Sequence, residues 1–438
     1  MPGRRRVLAD GISWSHAQMG LVSAFTAATG VTFVVGYFRH LGYAESHVAA
    51  YGSVIGFAGF FSVLGSWLAQ RRGDYKKTMM LFYAATGAFC LAGVLTGAVG
   101  GLGKAIPVIV LTLLAFFQLF IYMPAPGLLS WYHSIVGQDK WQGFFSTRSI
   151  VADCAALTTS LAVGAFLGKA PDTGRFLWVF TIAVLLVFTS VYTIYKVPSP
   201  GVTEEFPEAK EYFRTIIATM EKPEISRLLK IAFLRSFAYG LVLPFQPMFM
   251  LEALELSYRD ISLLMCLGTL CSIFCYKIWA RIQRRIGDVP SLKWNLLLSI
   301  FDPFLWALAA LGNNLPVYLA FAVFGFSGWQ GIINAGYWPS LLASFLGFSE
   351  EHQKPINVAM YFFVYGIAVM IAAPIAGILV KRFNIAPIEG LMYFGNIIDG
   401  YRVLFILSGL VLVASAIYSM SVTRSIKQGC SKGGENDF

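Results

Sequence analysis

Twelve stretches, each with about 20 mostly apolar residues or more, set the terms on which this chain can fold. They run approximately 14–38, 48–70, 77–99, 105–131, 143–168, 175–196, 227–254, 259–283, 294–312, 315–344, 355–381 and 401–423. Each is long enough to cross the hydrocarbon core of a bilayer as a helix. In lipid every backbone N–H and C=O must be satisfied within the segment, so these stretches are expected to be helices. Most joints carry Gly, Pro or charge, as at Gly100-Gly101-Leu102-Gly103-Lys104, Lys169-Ala170-Pro171-Asp172 and Gly312-Asn313-Asn314. Composition agrees. Charged residues make up 13% of the chain, against about 25% in soluble domains, too few to cover a water-facing surface. The 37 Phe, 20 Tyr and 10 Trp suit lipid-facing surfaces and interfacial belts. The expected fold class is an all-α integral membrane protein with twelve transmembrane helices.

Charge sets the orientation. Most of the 33 Lys and Arg fall on one side of the twelve spans if the N-terminus is cytoplasmic, which puts both termini inside. The net charge of +10 does not point to nucleic acid, because the basic residues sit in short clusters between apolar runs. Arg4-Arg5-Arg6 precede a run too long for a signal h-region and lacking a cleavage site, so the first span is expected to be retained. The expected location is a cell membrane of the bacterial inner-membrane type, and no Asn-x-Ser/Thr sequon occurs.

Catalytic and cofactor motifs are missing from the sequence. Gly101-Leu102-Gly103-Lys104 lacks the first Walker glycine and the Ser/Thr after the lysine. No His-Glu-x-x-His occurs, and the five His are scattered at span edges. Cys90, Cys154, Cys266, Cys271 and Cys275 lie in apolar runs and make no disulfide framework. Cys271 and Cys275, one helical turn apart, read as small apolar residues rather than metal ligands. Neither a cofactor, a metal nor an enzymatic activity is expected. Without a nucleotide site, uphill work must draw on an ion gradient.

The longest connection, 197–226, opens with Pro198-Ser199-Pro200-Gly201. It carries mixed charge with Tyr212, Phe213, Ile216 and Ile217 at helical spacing, which predicts an amphipathic helix on the cytoplasmic face. It divides the chain into an N-terminal six-helix bundle (1–196), a cytoplasmic central loop (197–226), a C-terminal six-helix bundle (227–424) and a tail (425–438). The bundles echo each other. Gln70-Arg71-Arg72-Gly73-Asp74 follows the second span and Gln283-Arg284-Arg285-Ile286-Gly287-Asp288 the eighth. Gly164 near the end of span five matches Gly377 near the end of span eleven at nearly the same offset. Parallel repeats of six spans are a known transporter layout.

Six plus six spans, cytoplasmic termini, a charged central loop and basic loops after spans two and eight resemble the major facilitator superfamily. The family pattern after span two is roughly G-x-x-x-D-R-x-G-R/K-R/K. This chain reads Ser66-Trp67-Leu68-Ala69-Gln70-Arg71-Arg72-Gly73-Asp74-Tyr75-Lys76-Lys77, with Arg71 and Gly73 matching. Ser66 replaces the usual glycine and Gln70 the usual aspartate. That acid helps lock the family's two halves together, so here the lock is absent or made differently. The resemblance implies two pseudo-symmetric six-helix bundles around a midplane cavity.

Ionisable groups inside spans are costly and mark candidate function. Asp153 in span five and Lys277 in span eight would face each other across the halves if the resemblance holds. They are candidates for an ion pair that breaks on transport, and Asp153 also for a proton carrier; a structural hydrogen bond and headgroup snorkelling are the alternatives. Arg235 in span seven would face the cavity and could hold an anionic group bidentately; otherwise it pairs with an acid such as Asp302. The resemblance makes span nine peripheral and Asp302 structural. Uncharged polar groups cluster too: Thr29 with Thr26 and Thr32 in span one, Gln118 and Tyr122 one turn apart in span four, Tyr239 on one face with Arg235, and Gln330, Asn334 and Tyr337 on one face of span ten beside Trp338. They are read as the solute-binding set, and Asp153, Lys277, Arg71 and Gly73 as the coupling and gating set. Interhelical hydrogen bonding is the competing role. Pro124, Pro126, Gly127, Pro244, Pro247 and Pro339 mark candidate bends.

The expected function is secondary active transport of a small polar solute by alternating access, driven by a proton or a cation such as sodium. The Gln/Asn/Trp lining favours a sugar-like solute and Arg235 an organic anion. The alternative is a membrane sensor or lipid-handling protein without solute flux. The expected partners are the solute, the coupling ion and the bilayer, with no nucleic acid and a monomeric state.

Overall fold

A computed structural model describes residues 2–72, 74–99, 105–136, 138–198, 209–309, 325, 327–348, 354–385, 392–393, 396–397 and 399–433. The side chains before residue 11 and beyond residue 423 are not described. Almost everything described is helix. The first span is α1 (Pro2–Ala28) and α2 (Val31–His40), broken at Thr29-Gly30. Then follow α3 (Glu45–Arg72), α4 (Tyr75–Val99), α5 (Ile106–Tyr122), α6 (Pro124–Val136), α7 (Gln138–Leu167) and α8 (Thr173–Lys196). The second half holds α9 (Ala209–Glu221), α10 (Pro223–Val242), α11 (Gln246–Met248), α12 (Tyr258–Ile286), α13 (Asp288–Ser299) and α14 (Phe301–Leu308). It ends with α15 (Asn334–Gly347), α16 (Lys354–Ile385) and α17 (Gly400–Gly433). Met392–Tyr393 and Asn396–Ile397 form a two-residue antiparallel pair, a small addition to the expected all-helical fold.

Among the described residues nine helices are long and apolar enough to cross a membrane, and Ile106–Tyr122 is a shorter apolar one. Of the expected spans, four, nine and ten are not among these nine, and the last two run into residues outside the description. Span four breaks at Met123 just before Pro124, and span nine at Ile300. Span seven turns at Leu243-Pro244-Phe245 and continues as α11 and a π-helix over Phe249–Ala253. Span ten contains a second π-helix, Ser327–Ile333. Pro339, expected to bend this span, lies within α15. Residues 310–324, in the ninth and tenth expected spans, fall outside the description. The tail differs from expectation: α17 runs on to Gly433.

Local chemistry sets several helix starts. Asp172 accepts the Arg175 N–H at 3.1 Å and caps α8. Ser257 and Asp260 form a reciprocal capping box on α12. Between α12 and α13, Gly287 has φ +86°, a backbone only glycine adopts readily. Its expected counterpart Gly73 lies outside the described residues.

Among the described residues α2 touches α11 and α6 touches α16 across the halves, but the main contacts are two pairs, α3 with α16 and α7 with α12. Small residues allow both. A side chain on Gly56 would strike the backbone of Met370, and one on Gly366 the backbone of Phe60. The two glycines matched in the sequence take equivalent places: Gly164 on α7 lies against Ser262 of α12, and Gly377 on α16 against Ala49 of α3. The repeat was therefore a record of how the halves touch.

Among the described residues two large apolar cores result, beside a small cluster of Ala238, Trp329 and Leu412. The larger joins both halves at the end away from the termini, from Phe33, Phe38 and Tyr51 to Phe245, Phe249, Trp306 and Phe405. The smaller lies in the second half at the other end, around Tyr212, Leu292, Leu341 and Met360, with Val63 as its buried contribution from the first half. The expected amphipathic helix is α9, which buries Tyr212, Ile216 and Thr219. Ile217, expected on the same face, is exposed, because its register turns it away from the contact face; the Phe213 side chain is not described.

Candidate functional site

Arg235 is the centre of the site. It sits midway along α10 and is only 6% exposed. Its Nη2 donates to Asn334 Oδ1 at 2.8 Å. Its guanidinium lies 3.6 Å from the Tyr337 ring centroid and 5.4 Å from that of Trp329, geometry in which the ring quadrupoles stabilise a buried cation. Its Nε has no partner.

The π-helix in span ten builds this arrangement. Its wider turn changes the carbonyl pattern at a depth where no water can satisfy one. Side chains of α12 and α13 reach those carbonyls: Ser272 Oγ donates to Gly331 O at 3.3 Å, Trp279 Nε1 to Ile332 O at 2.7 Å and Asn295 Nδ2 to Ile333 O at 2.7 Å. Trp329 lies within the π turn and Asn334 just beyond it.

Tyrosines surround the arginine. Tyr239 stacks on Trp329 with centroids 5.5 Å apart and planes 9° apart. Tyr365 lies 6.5 Å from Tyr239 and 6.1 Å from Tyr361. Tyr122, from the other half, is close enough to Tyr239, Tyr361 and Tyr365 to interact electrostatically. The ring therefore spans the boundary between halves. Of the expected solute-binding residues the fold brings together Arg235, Tyr239, Asn334, Tyr337 and Tyr122.

Others stand elsewhere. Thr29 turns back to Phe25 O at 2.8 Å, as a threonine beside a helix break does. Gln118 Nε2 donates to Tyr51 OH at 2.7 Å inside the first half. The hydrogen bond each of them makes lies within its own bundle. Trp338 packs on Tyr361, 4.6 Å between centroids, behind the ring. The Gln330 side chain lies outside the described residues.

The expected Asp153–Lys277 ion pair is not formed. Lys277 is exposed and Asp153 half-buried near Tyr276; α7 and α12 meet where Cys266 Sγ lies 3.6 Å from Leu157 O and Gly164 lies against Ser262. Asp302 is paired with Arg235 neither as expected nor by any ion pair among the described residues, although the two feel each other's charge. Arg71 is exposed and lies 5.1 Å over the Trp67 ring. The acid in its loop is Asp74. Hydrogen bonding from the Lys77 N–H holds that carboxyl below the usual carboxylate range, and Lys77 Nζ sits 3.0 Å away.

Sequence reasoning missed Tyr361, Tyr365 and Arg148. Tyr361 and Tyr365 are one helical turn apart on α16, a spacing that was visible. Arg148 sits near the start of span five, where it reads as a loop cation. In the structure it is 5% exposed. It donates to Ser15 O at 2.7 Å and Gln18 Oε1 at 2.9 Å and lies 4.6 Å over the Tyr132 ring. Also missed was a contact at the end away from the termini: Arg39 of the first half pairs with Glu252 of the second, and Tyr401 OH donates to Glu252 at 2.6 Å.

Two bundles meeting through these helix pairs, with a polar cluster at their boundary, define a multi-pass membrane transporter. The family model of the Major Facilitator Superfamily matches residues 17–330, and the chain belongs to that family. A mutant of the nucleoside transporter NupG superposes with a TM-score of 0.72 at 14% identity, covering 95% of this chain and 99% of that one. A bacterial homolog of the human lysosomal transporter Spinster, inward-facing and unoccupied, gives 0.66 at 13% identity, with 98% of each chain covered. An inward-facing bacterial homologue of the iron transporter ferroportin gives 0.63 at 13% identity, covering 95% of this chain and 98% of that one. No curated protein matches the chain by sequence.

Proposed function

We propose that this protein carries a small organic anion across a bacterial inner membrane by alternating access, with Arg235 as the anion ligand. The observation that carries this reading is a buried guanidinium with an unpartnered Nε inside a ring of tyrosines contributed by both halves. Such a group binds a carboxylate or phosphate through charge-assisted hydrogen bonds, and the rings accept the rest of the solute. A neutral, sugar-like or nucleoside-like solute is the second reading. It is favoured by Asn334, which already occupies one guanidinium edge, and by the Tyr239–Trp329 stack.

With both termini cytoplasmic, the larger apolar core and the Arg39–Glu252 pair close the outer side, and the solute enters from the cytoplasm. Asp153 and Lys277 then pair only when the cytoplasmic ends of α7 and α12 come together. Arg71 and the Gly73 turn act at the same end. The bundles 1–196 and 227–424 rock as units about the glycine contacts, the 197–226 loop joins them, and the protein works as a monomer coupled to a cation gradient.

Uptake into proteoliposomes from a mixture of organic anions, sugars and nucleosides, with and without proton and sodium gradients, tests this. Uptake of anions that Arg235→Gln abolishes is the expected result. Sugar or nucleoside uptake surviving Arg235→Gln establishes the second reading. No flux of any solute, with binding retained, replaces both with a sensor.

A further inference from the structure

Asp302 has no role in the site just described, yet among the described residues it is a deeply buried carboxyl with no ion pair. It is 3% exposed, and its Oδ1 has no hydrogen-bond partner. The backbone N–H of Trp329 is directed at the carboxyl, so one side of the group is held and the other is bare. The carboxyl borders a small cavity within the C-terminal half. Gln246, Trp306, Trp329, Tyr239 and Ser408 help line it. Residue 328, facing Oδ1 across 3.6 Å from its would-be Cβ, is glycine and adds no cover.

We propose that Asp302 is the site at which this transporter binds and releases a coupling proton; the proposal rests on the transport reading above. The lining decides the kind of ion. A hard metal cation takes about six oxygen ligands. Here the side-chain oxygens are the carboxylate, the Gln246 amide and the Ser408 and Tyr239 hydroxyls, and the rest of the wall is Trp, Phe, Val and Pro. Ser408 Oγ already donates to Ala238 O at 2.9 Å. A proton needs only the carboxylate. It adds to Oδ1 from water and leaves to water, and no other bond changes.

The groups around the carboxyl explain how this would reach the solute. From α10 come Arg235 and Tyr239, from the π-helix the Trp329 N–H, from α17 Ser408, and from α11 Gln246; Arg235 is the charged group among them. Tyr239 and Trp329 belong both to this pocket and to the ring around Arg235. With Asp302 protonated, Arg235 rests on Asn334 and Tyr337 as seen. With Asp302 ionised, a bare carboxylate stands beside a guanidinium whose Nε is free, and the two draw together. Arg235 then leaves the solute position. Proton loss and solute release become one event.

Infrared titration of the purified protein in lipid, without solute, tests the site. The wild type should show a protonated-carboxyl stretch that disappears as the pH is raised. Asp302→Asn should remove it and Asp153→Asn should leave it. Arg235→Gln should move its disappearance to more alkaline pH, because a neighbouring positive charge has been lost; this readout stands even if Asp302→Asn fails to fold. A band that is lost in Asp153→Asn instead, that never titrates, or that ignores Arg235→Gln overturns the proposal. The transport reading fails separately, by absence of flux in the uptake assay.

Discussion

Two buried arginines, Arg148 in the first half and Arg235 in the second, show how one residue type serves two purposes. Each lies over a tyrosine ring and donates to a side-chain amide. Arg148 also donates to the Ser15 carbonyl, tying α7 to α1. Tyr132 reaches the same Gln18 oxygen at 3.4 Å. Arg235 has one such hydrogen bond, an unpartnered Nε and a neighbouring carboxyl that it does not touch. A buried cation with its donors satisfied is a fastener. One with a donor left open, in a ring that spans both halves, is poised to bind something else. The difference lies in the environment, since desolvating a guanidinium costs the same whichever role it plays.

The comparison can be broken experimentally. The largest effect expected is from Arg148→Ala. It removes two charge-assisted hydrogen bonds and leaves Gln18 Oε1 only its long contact with Tyr132, so thermal unfolding in detergent should show a loss of about 3 kcal/mol. Equal stability with the wild type would mean Arg148 fastens nothing. Arg235→Gln should leave the melting temperature nearly unchanged while weakening solute binding by about 10- to 100-fold, the worth of a charge-assisted hydrogen bond. A large stability loss without a binding defect would make the two arginines alike.

Smaller effects sharpen the contrast. Asn334→Ala frees the Arg235 edge at a cost of about 1 kcal/mol in stability and should shift solute selectivity toward anions, read by competition in the uptake assay. Glu252→Gln removes a partly exposed ion pair between the halves, worth about 1 kcal/mol or less. It should raise labelling of cysteines placed behind it on the outer side. Tyr337→Phe should change stability by less than about 0.5 kcal/mol, because the hydroxyl it deletes is buried without a partner while the ring under Arg235 remains.

Much of the fold was legible because lipid imposes a simple rule: a long apolar run must be a helix. That rule gave the spans, and the matched glycines at Gly164 and Gly377 gave the contacts between halves. It was weakest where helices break. Pro124 and Pro244 marked two breaks, but the π-helix at Ser327–Ile333 carries no proline, only Ser327-Gly328 and Gly331. It persists because Ser272, Trp279 and Asn295, distant in sequence, supply donors to its carbonyls.

The site divides along the same line. The amino-acid order alone determined that the chain spans a membrane many times, that its halves carry matched motifs, that Arg235 shares a helix face with Tyr239, and that Asn334 shares one with Tyr337. Only the tertiary structure decided that Gln118 and Thr29 make hydrogen bonds within their own bundle, that Arg148 is buried, that Lys277 is exposed and that Asp302 borders a cavity. A one-dimensional pattern reports which face of a helix a residue occupies. Whether that face meets lipid, a satisfied partner or an empty space depends on which helix is packed beside it, and that is fixed by contacts far apart in the chain.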